Sequence, residues 1–215
     1  MIIALCNLKG GVGKTTISVL LAGELKRQKK KVLLVDADPQ GSAQKWRAKS
    51  EEEKAWPPVI AFSEPILHKP GQLVDLAENY EYVIVDTPPY DGGMTSSALM
   101  IADLAIIPLS PSGLDIEELE KIGNLIEQAK IINQELQAAM LISRKMVGTS
   151  LGTDIREFLE HPPFDRIPLL ESETCMRTAY PEVTISGDLI HTYSPRSKAA
   201  KEIKSIAKEV LQQYG

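Results

Sequence analysis

The run Lys9-Gly10-Gly11-Val12-Gly13-Lys14-Thr15-Thr16 separates the apolar stretch Ile2-Ile3-Ala4-Leu5-Cys6 from an apolar helical pattern, so a strand must turn into a helix there. Glycines let the backbone take conformations closed to other residues and bring its amides close to an anion. The helix starting at Lys14 aims its free N–H groups and partial positive charge at the same place. Such a loop binds phosphate. Lys14 is placed to sit on β- and γ-phosphates, Thr15 to ligate Mg2+, and Thr16 to bond an α-phosphate through its hydroxyl or amide.

Around this loop, short β-branched runs alternate with longer helical patterns, the sequence form of a mostly parallel twisted sheet with helices on both faces. Strands are expected at Ile2 to Asn7, Lys31 to Asp36, Val59 to Phe62, Tyr82 to Asp86, Leu104 to Leu109, Ala139 to Ser143 and Arg166 to Leu169. The first helix runs from Lys14 to about Lys29, its basic end complementing a helix C-terminus. Asp115 to Glu135 forms another, with Ile116, Leu119, Ile122, Ile126 and Ala129 on one face and a capping box of Asp115 with Glu118. The prolines at 57–58 and 162–163 read as connectors, so residues 1–215 are expected to form one domain.

Composition narrows the function. No apolar run approaches the roughly 18 residues that cross a bilayer, and no leader-like segment precedes the loop, so a cytoplasmic protein is expected. Cys6 and Cys175 lack C-x-x-C spacing, and His68, His161 and His191 are scattered, so neither a zinc nor a redox site is indicated. A net charge of −5 offers nucleic acid no bulk attraction, so any DNA binding must come from a local patch.

Ligands of parallel sheets bind beyond the carboxyl ends of the strands. Asp36 and Asp38 fall there after the second strand, Asp86 after the fourth, and Ser110 to Asp115 after the fifth. Asp36 and Asp38 lie two apart, so extended backbone puts both on one side; alternatively, one of them caps the helix near Gly41-Ser42. Asp86 either serves a ligand or merely ends its strand. Pro88, Pro89 and Asp91-Gly92-Gly93 form a segment whose glycines permit movement.

The common phosphate-loop pattern has glycine where this chain has Leu8, and a second lysine stands at Lys9. The run resembles the deviant Walker A motif, K-G-G-x-G-K-[ST]-[ST], of the ParA/MinD family of DNA-partitioning and cell-positioning ATPases. V-L-L-V-D-A-D-P-Q at Val32 to Gln40 and Y-V-I-V-D-T-P-P at Tyr82 to Pro89 resemble further motifs of that family. The resemblance is specific from Met1 to about Ser112 and continues to Gly215 as a matching order of elements. It implies the P-loop NTPase fold and Mg2+-dependent hydrolysis of ATP. By the same resemblance Gly10, Gly11, Val12, Gly13, Lys14, Thr15 and Thr16 hold the nucleotide, and Thr15, Asp36 and Asp86 serve the metal. Lys9, Lys14 and Asp38 would be catalytic, Asp38 by orienting the attacking water. Lys9 would reach across a homodimer formed in the ATP state, tying turnover to assembly as an arginine finger does; otherwise it is an exposed lysine beside a loop. Segment 88–93 would sense the γ-phosphate. The family often places base contacts where Ser143-Arg144-Lys145-Met146 stands, so Arg144 either stacks on adenine or is an ordinary surface arginine.

The last helix, about Ser197 to Tyr214, puts Ile203, Ile206, Ala207, Val210 and Tyr214 on one face and Lys201, Lys204 and Lys208 on the other. With Arg196 and Lys198 the helix sets five positive residues against Glu202 and Glu209. In ParA-like proteins basic residues on this side bind DNA through phosphates without reading sequence; a plain solvated face fits the pattern equally. The resemblance to small ParA proteins without an N-terminal helix-turn-helix implies no operator binding. It implies instead a nucleoid-associated protein with a cargo adaptor or centromere-binding ParB-like partner that stimulates hydrolysis, and no membrane. Two alternatives stand beside it. A MinD-like membrane switch lacks a Phe, Trp or Leu-rich stripe on this helix. A metabolic relative, such as a dethiobiotin synthetase-like ligase, lacks an evident substrate site.

Overall fold

The computed structural model describes residues 1–90, 93–111, 116–162 and 164–215, with side chains described for all of these except 116 and 150–154. Six strands, β1 (Ile2–Leu5), β2 (Val32–Asp36), β3 (Val59–Ala61), β4 (Tyr82–Asp86), β5 (Leu104–Leu109) and β6 (Gln137–Ile142), pair in the order β3-β2-β4-β1-β5-β6. All pairings are parallel. Both faces of the sheet are covered, which is why β1, β2 and β5 read as unbroken buried runs.

Alternation within β1 sorts its side chains between two cores. Ile2, Ala4 and Cys6 join one with α3 (Leu73–Ala77), α4 (Met94–Leu99), α5 (Ile116–Ile132) and α6 (Ser150–Leu159). Ile3 and Leu5 join the other with α1 (Lys14–Arg27), α2 (Ser42–Ala48), α7 (Ala179–Ser186), α8 (Ile190–Tyr193) and α9 (Lys198–Gln213). Within the second core, α1 is buried without a break from Ile17 to Leu25, as befits a helix packed on the sheet from one side and on α9 from the other. Gly23 makes room for the start of α8: a Cβ there would lie 2.9 Å from Cδ1 of Leu189, the N-cap of that helix.

Helix ends follow local chemistry. Ser197 caps α9, its hydroxyl accepting from the Ala200 amide at 3.1 Å. On α5, Leu119, Ile122, Ile126 and Ala129 are buried as the periodicity requires. The capping box at Asp115 and parts of two segments, Asp91-Gly92 and Ser112 to Asp115, lie outside the described residues.

Arg166 to Leu169, expected as a seventh strand, is not one. Phe164–Arg166 is a 3-10 turn, and Leu169 makes an isolated bridge with Met140. The backbone touches β6 through Met140 N–H donating to Pro168 O at 2.7 Å and Leu170 N–H donating to Met140 O at 2.9 Å. Pro168 has no N–H for a ladder, and the Glu209 carboxylate then takes the amides of Glu171 and Ser172 at 2.7 and 2.8 Å. Backbone donors that could have extended the strand go to α9 instead.

Candidate functional site

The loop between β1 and α1 needs its glycines for two reasons. Gly11 and Gly13 have φ of +76° and +94°, and a Cβ on Gly13 would come within 2.8 Å of Ser143 Oγ. Gly13 is also the N-cap of α1 and supplies no side-chain cap, so first-turn amides of the helix remain for an anion. Asn7 anchors the other end of the loop. Its side chain donates to Pro108 O at 2.8 Å and accepts from the Lys9 amide at 2.9 Å.

Lys14 is 6% exposed, and its ammonium donates to the Lys9 carbonyl at 2.9 Å. Burial lowers its pKa, opposed first by the charge of Asp86 and further by Asp38 and Glu118. An anion in the loop would give this ammonium a stronger partner than a carbonyl. Lys9 itself is half-buried, and its ammonium has no hydrogen bond or ion pair among the described residues.

Asp86 ends β4 beside Leu5 of β1 and Asp36 of β2. Its Oδ1 lies 3.0 Å from Ser18 Oγ, while Oδ2 is buried and has no hydrogen-bond partner among the described residues. Burial pushes its pKa up to about 7; the Thr15 hydroxyl beside it pulls the other way, and Asp36 adds to the rise. An orphaned buried carboxylate oxygen next to a threonine hydroxyl is a hard-oxygen donor set that fits Mg2+.

The two other aspartates part company. Asp36 is buried, with Oδ2 accepting from the Gln44 amide at 2.9 Å and Oδ1 from the Asp38 amide at 3.3 Å. It therefore caps α2, the role the sequence left open, and burial raises its pKa. Asp38 is half-buried, lines the cleft and accepts from the Gln40 amide at 2.9 Å. Among the described residues no three His, Cys, Asp or Glu side chains gather to hold a metal. A cation here would rest on Thr15, Asp86, and oxygens of ligand and water.

From the loop a cleft of 840 Å³ runs past Ser143 and Arg144 to a wall built from Thr174 to Ile185. Arg144 takes a left-handed φ of 57°; its amide donates to Thr174 Oγ1 at 3.2 Å and its guanidinium to the Gly11 carbonyl. Met176, Tyr180, Pro181 and Ile185 give the wall apolar surface, with Met176 and Ile185 well exposed. Pro89 borders the loop from the segment after β4, and of the expected sensor only Asp91 and Gly92 fall outside the described residues.

Sequence reasoning missed Asn7, Ser18 and the wall. Ser18 was legible in principle, because a residue four beyond Lys14 shares its helix face. The wall was not, since the irregular stretch from Thr174 to Thr178 and the face of α7 after it are brought to the loop only by the fold.

Arg196, Lys198, Lys201, Lys204 and Lys208 are exposed on and before α9, with no ion pair among the described residues. Glu202 and Glu209 of the same helix turn inward, Glu202 to Arg177 and Glu209 to the 171–172 amides. The outer face of α9 is thus basic without the two acids that the sequence set against it.

This arrangement has relatives. Residues 3–209 match the model of the CobQ/CobB/MinD/ParA nucleotide binding domain. The chain is 33% identical over 213 residues to the maintenance of carboxysome distribution protein A of Halothiobacillus neapolitanus, covering 97% of this chain and 95% of that protein. It is 27% identical to the sporulation initiation inhibitor protein Soj of Bacillus subtilis, with 97% of each covered. In three dimensions it resembles cobyrinic acid a,c-diamide synthase of Mycobacterium smegmatis, solved with bound ADP and magnesium, at a TM-score of 0.76 and 22% identity over 99% of this chain and 94% of that one. A P-loop between β1 and α1 of a parallel six-stranded sheet, matched along almost the whole chain, places this protein in the CobQ/CobB/MinD/ParA family of nucleotide-binding domains.

Proposed function

We propose that this chain is a Mg2+-dependent ATP hydrolase that dimerises when ATP is bound, binds duplex DNA without reading its sequence, and positions a large cargo with a partner that stimulates hydrolysis. One observation carries the reading: among the described residues, the buried Lys14 ammonium hydrogen-bonds to the Lys9 carbonyl alone, while the Lys9 ammonium at the same loop has no hydrogen bond or ion pair. The first cation serves the chain's own nucleotide, and the second is available to another copy.

The chemistry follows from these positions. Lys14 exchanges the Lys9 carbonyl for β- and γ-phosphate oxygens, and the loop amides surround them. Mg2+ held by Thr15 and Asp86 supplies charge neutralisation on the phosphates. Asp38, on the cleft side, orients the attacking water, and Asp36 keeps α2 and the Asp38 backbone in place. Lys9 of a second copy adds positive charge as the γ-phosphate leaves. The base lies on the apolar wall, with Arg144 at its edge.

Two findings support the DNA and cargo parts. The four lysines of the α9 face and Arg196 just before it are exposed, and a dimer doubles them. A relative at 33% identity over nearly full length is named for maintaining carboxysome distribution, so a large cytoplasmic assembly is the favoured cargo. The apolar face of α9 is buried, with Ile203, Ile206, Ala207 and Val210 at 1% exposure or less, and so is not free to enter a bilayer. Among the described residues no helix is long and apolar enough to cross one.

The test compares binding of a duplex of arbitrary sequence with binding of anionic liposomes, in ATP and in ADP. ATP-dependent DNA binding is expected, and K201A/K204A/K208A should weaken it and flatten its log-log salt dependence by about 0.9 per lost phosphate contact. A triple variant with wild-type affinity would remove the α9 assignment. Wild-type protein that ignored DNA but bound liposomes in ATP would replace the nucleoid reading with the membrane one.

A further inference from the structure

The wall of the cleft is irregular backbone until α7 begins, and it needs support from behind. On the β6 side, Thr174 N–H donates to Ile142 O at 2.9 Å and Met176 N–H to Lys145 O at 2.9 Å. On the other side one carboxylate does most of the holding. Glu202 Oε1 accepts from Arg177 Nε and NH2 at 3.0 and 2.8 Å; Oε2 accepts from the Tyr180 hydroxyl at 2.7 Å and the Cys175 amide at 3.2 Å. All three donor residues line the cleft.

We propose that Glu202 is a positioning residue for the nucleotide: from α9 it fastens the wall that receives the base. The proposal rests on the reading above that the base lies on that wall. Both Arg177 donors converge on Oε1 in a charge-assisted pair that holds the guanidinium against α9. The Tyr180 clamp fixes the first turn of α7, which carries Pro181 and Ile185 to the cleft. Met176 lies between two residues tied to the same carboxylate, which sets how its exposed side chain meets a ligand. With its side chain 14% exposed, Glu202 makes these bonds away from most competing water. Burial and the neighbouring carboxylate push the Tyr180 hydroxyl pKa up, keeping it a donor.

Among the described residues, Glu202 hydrogen-bonds to Cys175, Arg177 and Tyr180 and to nothing in the phosphate loop, so its effect should be confined to the nucleoside. Calorimetric titrations of Glu202→Ala with ADP and with inorganic tripolyphosphate, both in Mg2+, separate the two ends of the cleft. ADP should bind about tenfold more weakly at unchanged stoichiometry, and tripolyphosphate within about twofold of wild type. Glu202→Gln keeps one acceptor oxygen and should recover part of the loss, and Arg177→Ala added to Glu202→Ala should add little. Melting temperatures of each variant identify a merely structural role, which would lower stability or the active fraction while leaving the ADP Kd of the remaining molecules unchanged. That result, or equal weakening of ADP and tripolyphosphate, would overturn the proposal and leave the proposed function standing. Wild-type protein that bound neither probe would overturn both.

Discussion

Asp86 should make this protein less stable as pH rises, and Asp86→Asn should remove that penalty. The carboxyl is fully buried at the end of β4, and burial carries its pKa from 3.8 to about 7. A group with a raised folded-state pKa contributes stability that is complete below its unfolded value and lost as pH climbs through the folded one. For Asp86 the loss therefore falls between about pH 4 and 7. From pH 5 to pH 8 it integrates to about 2–3 kcal/mol, at ~1.4 kcal/mol per pH unit. Asparagine cannot ionise. Its amide can keep the Ser18 contact but adds N–H donors where Oδ2 has no partner among the described residues, at a cost that does not vary with pH. Whatever that cost, the variant should gain on wild type by about 2–3 kcal/mol between pH 5 and 8, or ~5–10 °C in melting temperature for a chain of this size. The assay is thermal unfolding of both proteins in EDTA without nucleotide, across that pH range. Parallel curves would refute the argument, because they would mean that Asp86 does not titrate with folding. Saturating Mg2+ and ADP should then reverse the order near pH 8, because only wild type keeps the carboxylate for the metal.

The nucleotide loop offers three further tests. Lys14→Ala removes a buried charge-assisted donor and should weaken ADP binding ~10–100-fold by calorimetry; undiminished affinity would show that Lys14 does not meet phosphate. Asp38→Ala should leave ATP binding within about twofold and slow turnover at least ~100-fold in a phosphate-release assay, as loss of a water-orienting group does; wild-type turnover would exclude that role. Lys9→Ala should lose or weaken a dimer that light scattering detects with a slowly hydrolysed ATP analogue and not with ADP, whereas equal masses in both nucleotides for wild type would leave Lys9 without a trans role.

Some of this was written locally. The phosphate loop was legible because its requirements are local: glycines at positive φ, a strand before, a helix after, and a lysine on the first turn. The parallel sheet was legible because burial on both faces demands long runs of apolar residues in every inner strand. Asp86 was legible as the polar residue closing such a run, which puts it at the carboxyl end of the sheet.

What only the tertiary structure decided is where one element meets another far along the chain. Nothing near Asp36 says that its Oδ2 faces the Gln44 amide of α2 while Asp38 turns to the cleft; that depends on how α2 packs through Ala43 and Trp46 into the core. Nothing near Arg166 to Leu169 says that the following amides go to Glu209 instead of to β6. On α9 the helical period distinguishes an apolar face from a charged one, but Glu202 and Glu209 sit at its borders, where either direction is open. Packing of α9 on α1 tilts both inward, to Arg177 and to the 171–172 amides. That rotation leaves the outer face basic and gives the cleft wall its support, and no sequence pattern records it because the partners are set by contacts between helices rather than by spacing within one.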